Sequence, residues 1–266
     1  MTIGKQIAET FAAHGDTLRT AGELLPAQHR APLLPEDDDA DLPGASAWPP
    51  TQPMLIEIVY VDGKGRRSTR QVTVRAVGRS GGHLYLRGLC HQRGAMRCFR
   101  DDRIVEIVTP LDGHAYENAI AFLSDNLLIS DDPDPAMACL DAAFACSADI
   151  VMVLAFLGRC DGDYASHEQE AIGRVLARRA DAIAFDAKAA ARRIALLRPD
   201  FDDFAGAIER IAAEPDDALE LAHAAVEVVQ ADGIYAPEER RFMQELADIL
   251  AVAVRPEPRE LATETE

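Results

Sequence analysis

Two short acidic stretches of this chain share a pattern, CDGDYASHEQE at residues 160–170 and ADGIYAPEERR at residues 231–241. Aspartate, glycine, tyrosine, alanine and glutamate recur in the same order at the same spacing. Carboxylate oxygens are the ligands that Ca²⁺ and Mg²⁺ prefer in proteins. The turns are therefore candidates to bind one of these cations as a cofactor, through the five acids Asp161, Asp163, Glu168, Asp232 and Glu239. Their spacing differs from the 12-residue loop of an EF-hand.

The same two turns have a second interpretation, as the starts of helices. Ser166 is a typical N-cap residue with Gln169 three positions later, and Pro237 suits the first position of a helix. Acidic residues in a first helical turn also interact favourably with the helix dipole. Cation binding and helix capping each account for the repeated sequence, so both interpretations stay open at this stage.

A second set of chemically suggestive residues lies in the segment 64–103. It has eleven basic residues and only two acidic ones, a net charge of +9 in a chain that carries −18 overall. Guanidinium groups beside aromatic rings are suited to contact phosphates and to stack on bases. Because side chains alternate along a strand, Arg97 shares one face with Phe99, and Tyr85 shares one with Arg87. We expect these side chains to converge on one cleft. The alternative is that the arginines are solvated or paired with the chain's own acids.

The basic segment lies in a stretch with the two-residue period of β-strands. Five short runs of β-branched, aromatic and apolar residues are separated by turn sequences such as VDGKGRR and GRSGG. Five closely spaced strands with tight hairpins favour a small β-barrel, because closure removes exposed strand edges. The runs span residues 54–60, 70–77, 83–90, 95–100 and 103–108.

The remaining sequence predicts helices on both sides of this barrel. Residues 1–31 have the amphipathic pattern of an N-terminal helix. Residues 32–53 form an acidic, proline-rich linker that we expect to be disordered. A connecting helix and linker at 111–135 leads to a helical region, and the tail is 255–266. The predicted helices are 114–128, 136–159, 167–180, 185–197, 201–213, 216–230 and 237–253.

Bulk properties exclude several classes of protein. No apolar run approaches the roughly 20 residues needed to cross a bilayer, and the first residues lack the layout of a signal peptide. Five cysteines form no CxxC, and an odd count suits neither a disulfide framework nor a standard zinc site. We therefore expect reduced thiols in a cytoplasmic protein that does not contact membranes. The P-loop, GxSxG, HExxH and dinucleotide GxGxxG motifs are absent from the sequence, so we expect no enzyme.

The sequence HLYLRGLCHQRGAMRCFRDDRI at residues 83–104 resembles the signature of the WYL domain. Tyr85 and Leu86 match its Tyr-Leu pair. Leu84 replaces the tryptophan of the family name, and Val74 stands where the family commonly has proline. The other matching positions are Arg93, Arg97, Phe99, Arg100, Arg103 and Ile104.

The WYL resemblance implies an Sm-like or SH3-like β-barrel at residues 54–110 that senses nucleic acid or nucleotides in bacterial transcription regulators. WYL proteins usually place a helix-turn-helix DNA reader before the barrel. Here only about 25 helical residues and a linker come first, so we do not expect direct operator recognition. The ligand contacts implied by the resemblance and the strand pattern are Tyr85, His91, Arg93, Arg97, Phe99, Arg100 and Arg103.

The doubled acidic turn resembles the TerB domain of tellurite-resistance proteins, over about residues 136–254. That family has an all-helical fold with two related halves. Each half has Asp-Gly followed by an acid about seven residues after the aspartate, as at Asp161 and Asp232. The resemblance implies divalent metal binding through these acids. Ile234 stands in the second turn where Asp163 stands in the first, so the second turn offers fewer ligands.

Together these features predict an α+β chain in which a small Sm/SH3-like β-barrel precedes an all-α domain with two related halves. We expect a sensor or adaptor linked to stress response or transcription regulation. The barrel would bind single-stranded nucleic acid or a nucleotide, and the helical domain would bind a divalent cation or a protein partner. One alternative is a metal-dependent hydrolase or enzyme accessory that uses the acidic turns. Another is a structural scaffold whose oppositely charged domains dock on each other.

Overall fold

The protein is described here from a computed structural model. The described chain forms an antiparallel sheet followed by a helical domain, which confirms the α+β class. The predicted N-terminal helix at 1–31 and the tail at 255–266 lie outside the described residues. The residues that the structure describes are 41–110, 113–126, 135–159, 164–231, 243–244, 246–247 and 249–250.

One antiparallel sheet contains all six described strands, which are β1 (Pro50–Val61), β2 (Arg67–Ser80), β3 (His83–Cys90), β4 (Ala95–Arg100), β5 (Ile104–Val108) and β6 (Ala115–Tyr116). Their order across the sheet is β4-β3-β2-β1-β5-β6. The first five coincide with the five runs predicted from alternating apolar residues. The sixth falls where the sequence predicted the start of a helix at 114–128, because Tyr116 pairs with Ile107 of β5.

The sheet is open, so the predicted closure into an Sm/SH3-like barrel is not found. Among the described strands, β4 pairs only with β3 and β6 only with β5. One face is covered instead by helix α1 (Ala119–Asn126), whose Phe122 and Leu123 are fully buried in the sheet's core. A covering helix removes the apolar face from water without strand-to-strand closure. We call this covered face the core face and the opposite one the outer face.

Burial along β3 shows which side chains lie on each face. Leu84, Leu86 and Cys90 are buried in the core that includes α1. Tyr85 and Arg87 alternate with them and are half-buried on the outer face. The apolar period of this strand therefore fixes the direction of its polar and aromatic side chains.

A helical domain follows, with α2 (Pro135–Ala145), α3 (Ala148–Leu157), α4 (Ser166–Arg179), α5 (Ala187–Leu196), α6 (Phe201–Ile211) and α7 (Pro215–Val229). Its core is rich in alanine and aliphatic residues, and the Phe156 ring stacks on Phe204 at a centroid distance of 4.7 Å. In the described part of the chain, no single helix is long and apolar enough to cross a membrane. Only α2 and α3 taken together, with a bend of 74° between them, reach that length and composition.

The predicted helix at 136–159 is two helices, because the chain bends at Cys146 and Ser147. The Arg179 guanidinium donates to the Cys146 carbonyl at 3.2 Å and so satisfies a group that a continuing helix would have bonded. The Ser147 carbonyl accepts the Val151 N–H at 2.9 Å, which starts α3. A long-range contact from α4 therefore decides a break that the local apolar period does not show.

The end of α5 joins the sheet to the helical domain. Leu196 is buried in the core of the sheet, whereas the next residue, Leu197, is buried in the helical core. Leu197 also forms an isolated antiparallel bridge with Met54. The Arg198 N–H then donates to the Pro53 carbonyl at 2.7 Å. Two successive side chains in two cores hold the sheet and the helices in one arrangement.

A charged contact adds to this junction. Arg75 of β2 donates to Asp203 at 2.6 Å and also to Asp200, at the start of α6. Asp200 is the N-cap of that helix and accepts the Asp203 N–H at 3.0 Å. The basic sheet therefore docks on acids of the helical domain through a pair that also caps a helix.

We predict that Leu196→Ala destabilises the sheet although Leu196 is the last residue of α5, a helix of the other domain. Removal of a fully buried leucine side chain costs about 2–5 kcal/mol through lost burial and the cavity left behind. Leu219→Ala on α7 is the matched control, because that side chain is 54% exposed and its removal is expected to change stability by less than about 0.5 kcal/mol. Urea unfolding of both variants measures the difference. Equal midpoints for the two variants would contradict the shared-core arrangement.

Candidate ligand site on the sheet

The outer face of β3 and β4 brings together two predicted ligand contacts, Tyr85 and Arg100, with Arg87, which the strand pattern places beside Tyr85. Tyr85 lies directly opposite Arg100 in the antiparallel register, and Arg87 lies opposite Cys98. Opposite residues of an antiparallel pair lie on the same face. Tyr85, Arg87 and Arg100 therefore present one ring and two guanidinium groups on one side of the sheet. Arg87 is not among the residues implied by the family signature.

Phe99 does not lie with them, which corrects the prediction that it stacks on a ligand. Its register partner is Leu86, on the core face, and its side chain is fully buried. The Phe99 ring packs edge-on against Tyr60 at a centroid distance of 5.2 Å. Arg97 shares this core face, as the spacing predicted. The two-residue period correctly predicts that Arg97 and Phe99 share a face of the sheet. That face is the core face, which packs on α1, and not the outer face that would bind a ligand.

Three further predicted residues lie at the ends of the strands. His91 and Arg93 are in the turn between β3 and β4. A strand rise of about 3.3 Å per residue places His91, six residues further along the chain, roughly 20 Å from Tyr85. Arg103 is in the short 3₁₀ turn after β4. The seven predicted residues therefore do not form a single cleft, because they are divided between two faces and two ends of a hairpin.

His91 lies in the crevice between the sheet and the helical domain. Its Nε2 is 2.8 Å from the Thr73 hydroxyl oxygen. Burial, together with the nearby positive charges of Arg198 and Arg75, lowers the pKa of His91 to about 4. The imidazole is therefore neutral near pH 7. A neutral, hydrogen-bonded histidine in this crevice is part of the domain junction.

Several arginines bind carboxylates of the same chain, which was the alternative to ligand binding. Arg87 donates from Nε and Nη2 to the two carboxylate oxygens of Asp41, each at 2.8 Å. Arg100 does the same with Asp102, at 2.6 and 2.9 Å. The hydrogen bond from Arg87 lowers the pKa of Asp41, and that from Arg100 lowers the pKa of Asp102. Both guanidinium groups are therefore aimed at anions on this face.

The segment Asp41–Trp48 covers part of the outer face, although the sequence predicted a disordered linker at 32–53. The Leu42 N–H lies 3.5 Å from the Cys98 sulfur, and Ala45 is fully buried. The Trp48 ring lies 5.9 Å from the Tyr85 ring. The tryptophan is the only one in the chain and stands among prolines and acids. That apolar residue was the signal that the part of the linker from Asp41 onward docks on the sheet; residues 32–40 lie outside the described residues.

Gly78 makes room for this tryptophan. It lies opposite Tyr85 in the register of β2 and β3. A Cβ atom on Gly78 would come within 2.1 Å of the Trp48 ring, so no other residue fits without moving the indole. The missing side chain creates a flat slot beside Tyr85.

The first acidic turn is described only from Tyr164 onward. Helix α4 starts at Ser166 with Ala165 as its N-cap, so Ser166 is not the capping residue that the sequence predicted. Glu168 is buried, and its Oε2 accepts the Ala165 N–H at 2.8 Å. Glu168 therefore does part of the capping itself. The other four predicted metal ligands, Asp161, Asp163, Asp232 and Glu239, lie outside the described residues.

The residues that flank the first turn bind the end of α5. The Arg159 guanidinium lies 4.0 Å from the centre of the Tyr164 ring and donates to the Ala195 carbonyl at 3.1 Å. The Tyr164 hydroxyl lies 3.3 Å from the Ile194 carbonyl. Burial lowers the pKa of Arg159 to about 10 and raises the pKa of Tyr164. These contacts connect the acidic turn to the helix end that enters the sheet.

We predict that His91 makes the protein less stable at acid pH. Its pKa of about 4 in the folded state lies below the value of about 6.5 expected in the unfolded chain, so the unfolded state binds the proton more readily. The stabilising contribution is complete above about pH 6.5 and is lost as the pH falls towards 4. His91→Gln should therefore lose less stability than the natural chain between pH 7 and pH 5 in urea unfolding. His223→Gln, on the exposed side of α7, is the control, and equal losses in all three proteins would contradict this account.

Comparisons with known proteins agree with the order of the two domains. The family model described as "WYL domain" matches residues 52–109, and the model described as "Tellurite resistance protein TerB" matches residues 147–257. No curated protein matches the chain. Among solved structures, the proteasome accessory factor B/C (PafBC) of Arthrobacter aurescens is 16% identical, with a TM-score of 0.21, and the match covers 99% of this chain. The match spans only 59% of that protein's length. This chain therefore contains a WYL domain followed by a TerB domain.

Proposed function

We propose that this protein is a non-enzymatic sensor whose WYL domain binds single-stranded nucleic acid or a nucleotide on the outer face of β3 and β4. The observation that carries the proposal is the grouping of Tyr85, Arg87 and Arg100 on one face. A guanidinium fork binds a phosphate with the same two-point geometry that it uses for a carboxylate. An adjacent aromatic ring stacks on any base, so this combination recognises nucleic acid without reading its sequence.

The acids that now hold these arginines are compatible with ligand binding. Asp102 is 45% exposed and lies two residues from its partner Arg100. Exposed ion pairs contribute little to stability, so a phosphate that makes additional contacts can replace the carboxylate. Charge also favours a nucleic acid or a nucleotide, because the segment 64–103 carries +9 in a chain whose net charge is −18. A positive surface attracts phosphate groups. The WYL domain is also the basis on which we propose a role in transcription regulation.

The TerB domain supplies a second proposed input, a divalent cation at the acidic turns. Glu168 supports this because its carboxylate is buried beside the first turn, where its Oε2 accepts the Ala165 N–H at 2.8 Å. Asp161 and Asp163 precede it in the turn, and Asp232 and Glu239 stand at the corresponding positions of the second. Ca²⁺ or Mg²⁺ is the cation that such oxygen ligands favour.

A scaffold is the second candidate function, because the two domains dock through opposite charges. Arg75 of the sheet binds Asp200 and Asp203 of the helical domain. In a scaffold this contact would hold the domains for a protein partner on the acidic helices, with no ligand on the sheet. Binding of an oligonucleotide to the full chain separates this candidate from the sensor.

We predict opposite effects on oligonucleotide binding from the two members of one ion pair. Arg100→Gln should weaken binding of a fluorescein-labelled dT₁₂ strand and make the salt dependence shallower by about 0.7 in the slope of log K against log salt, as expected for one lost phosphate contact. Asp102→Asn should strengthen binding, because it removes the competing carboxylate. Arg67→Gln is the control, since that exposed arginine stands at the far end of β2. Fluorescence anisotropy of the full chain at several salt concentrations measures all four proteins. Identical isotherms and slopes, or absence of binding, would contradict the proposed function.

We predict that Ca²⁺ or Mg²⁺ raises the melting temperature of the natural chain and that EDTA reverses the effect. A ligand that binds only the folded state stabilises it by about 2.7 kcal/mol at a hundredfold excess over its Kd. Glu168→Gln should abolish the cation effect, whereas Glu227→Gln should keep it, because Glu227 is held by Arg174 on the surface of another helix. Cation-independent melting that Glu168→Gln still lowers would instead establish the helix-capping interpretation.

A further inference from the structure

We propose that the segment Asp41–Trp48 is an internal stand-in for the ligand, seated on a subsite for one phosphate and one base formed by Arg87, Tyr85 and Gly78. The inference rests on the proposed function and extends it, because it adds Gly78 to the site and states what a nucleic acid must displace. The incoming ligand class is a phosphodiester strand or a nucleotide. Its phosphate replaces the Asp41 carboxylate, and its base replaces the Trp48 indole.

The anion half of this subsite is the Arg87 guanidinium. Both of its bonds to Asp41 are 2.8 Å long and reach the two oxygens of one carboxylate. Arg87 is only 17% exposed, so its side chain is held in place while Asp41, at 36%, remains accessible to solvent. The Cys98 thiol, opposite Arg87 in the register, adds a contact of 3.3 Å to the same carboxylate. A preoriented fork of this kind accepts a phosphate in the same plane.

The ring half is the slot at Gly78. A flat indole lies over this glycine, and the neighbouring aromatic ring belongs to Tyr85, its cross-strand partner. A nucleobase is a planar ring system that stacks on aromatic side chains in the same way as an indole. The glycine matters because any side chain here would fill the space that a ring now occupies. The slot therefore selects for a flat group, whether it comes from the chain or from a ligand.

The spacing of the two halves fits a ligand that carries both groups. Arg87 and Tyr85 are two residues apart on the same face of β3, a distance of roughly 7 Å along the strand. The chain spans both positions with a short turn at Ala45–Ala47, so the carboxylate and the indole arrive together. Arg100 lies opposite Tyr85 and extends the basic surface to a following phosphate. A strand with repeated phosphates and bases matches this surface better than an isolated anion.

An internal occupant lowers the apparent affinity of the site. A tethered group competes at a high effective concentration, and a ligand binds only the fraction of molecules in which the site is open. Ala45 of the segment is buried but belongs to neither apolar core, so release of the segment does not require either core to unfold. The segment therefore covers the site in the free protein, and a ligand can replace it.

Trp48 permits a direct test, because it is the only tryptophan of the chain. Unlabelled dT₁₂ is titrated onto the full-length protein, and acrylamide quenching of tryptophan fluorescence is measured with and without the strand. The expected result is a rise in the quenching constant and a red shift of the emission as the strand binds, since the indole leaves its slot for water. A parallel titration with dTMP shows whether one nucleotide is sufficient or whether a strand is needed.

Two variants make the test independent of fluorescence. Asp41→Asn and Trp48→Ala should each bind labelled dT₁₂ more tightly, by roughly fivefold, because the competing occupant is weakened. Glu106→Gln on β5 is the control for the loss of one negative charge from the same sheet. Circular dichroism confirms that each variant folds, and the quenching experiment on the natural chain remains decisive if one does not.

The outcomes separate this inference from the proposed function. If dT₁₂ binds while Trp48 stays equally protected and neither variant binds more tightly, the inference is overturned and the proposed function stands. If neither the natural chain nor Asp41→Asn binds dT₁₂ or dTMP, the proposed function fails and the inference fails with it. Binding accompanied by exposure of Trp48 supports both.

Discussion

Leu196 and Leu197 are the constraint on which the rest of this structure depends, because two adjacent side chains belong to two different cores. The first completes the apolar core of the sheet, and the second completes that of the helices. The same short segment bonds to the start of β1 through Arg198 and Pro53. A helix end held in this way fixes where the sheet lies against the helical domain. Arg75 can then reach the start of α6, and His91 is enclosed in the crevice beside it.

Much of the fold could be predicted from the sequence, because apolar residues recur at a different interval in a half-buried strand than in a half-buried helix. The first five strands were predicted close to their observed positions, and Pro135 and Pro215 stand at the first positions of α2 and α7. The barrel was not, since alternation identifies an apolar face without showing whether another strand or a helix covers it. In this chain α1 provides the cover. The break at Cys146 was missed for a related reason, because Arg179, which satisfies its carbonyl, is 33 residues away.

The candidate site shows the same limit at the level of single side chains. The alternation of side chains along a strand correctly placed Arg97 on one face with Phe99, and Tyr85 on one face with Arg87. Alternation alone does not tell which of these two faces packs against a core. The ion pair of Arg87 joins residues 46 apart in sequence, and no local pattern predicts it. The linker was judged by its overall composition, which is acidic and rich in proline. A single tryptophan that fits over a glycine outweighed that composition, since one well-placed indole buries a large apolar surface.

The contacts of Arg159 and Tyr164 stabilise the end of α5, where the helical domain joins the sheet. Both side chains hold carbonyls of Ile194 and Ala195, immediately before the leucine that enters the sheet. The two residues flank the acidic turn in sequence, and both contact the last turn of α5. The same helix end places Leu196 in the core of the sheet and pairs Leu197 with Met54 of β1, so Arg159 and Tyr164 stabilise the segment that joins the two domains.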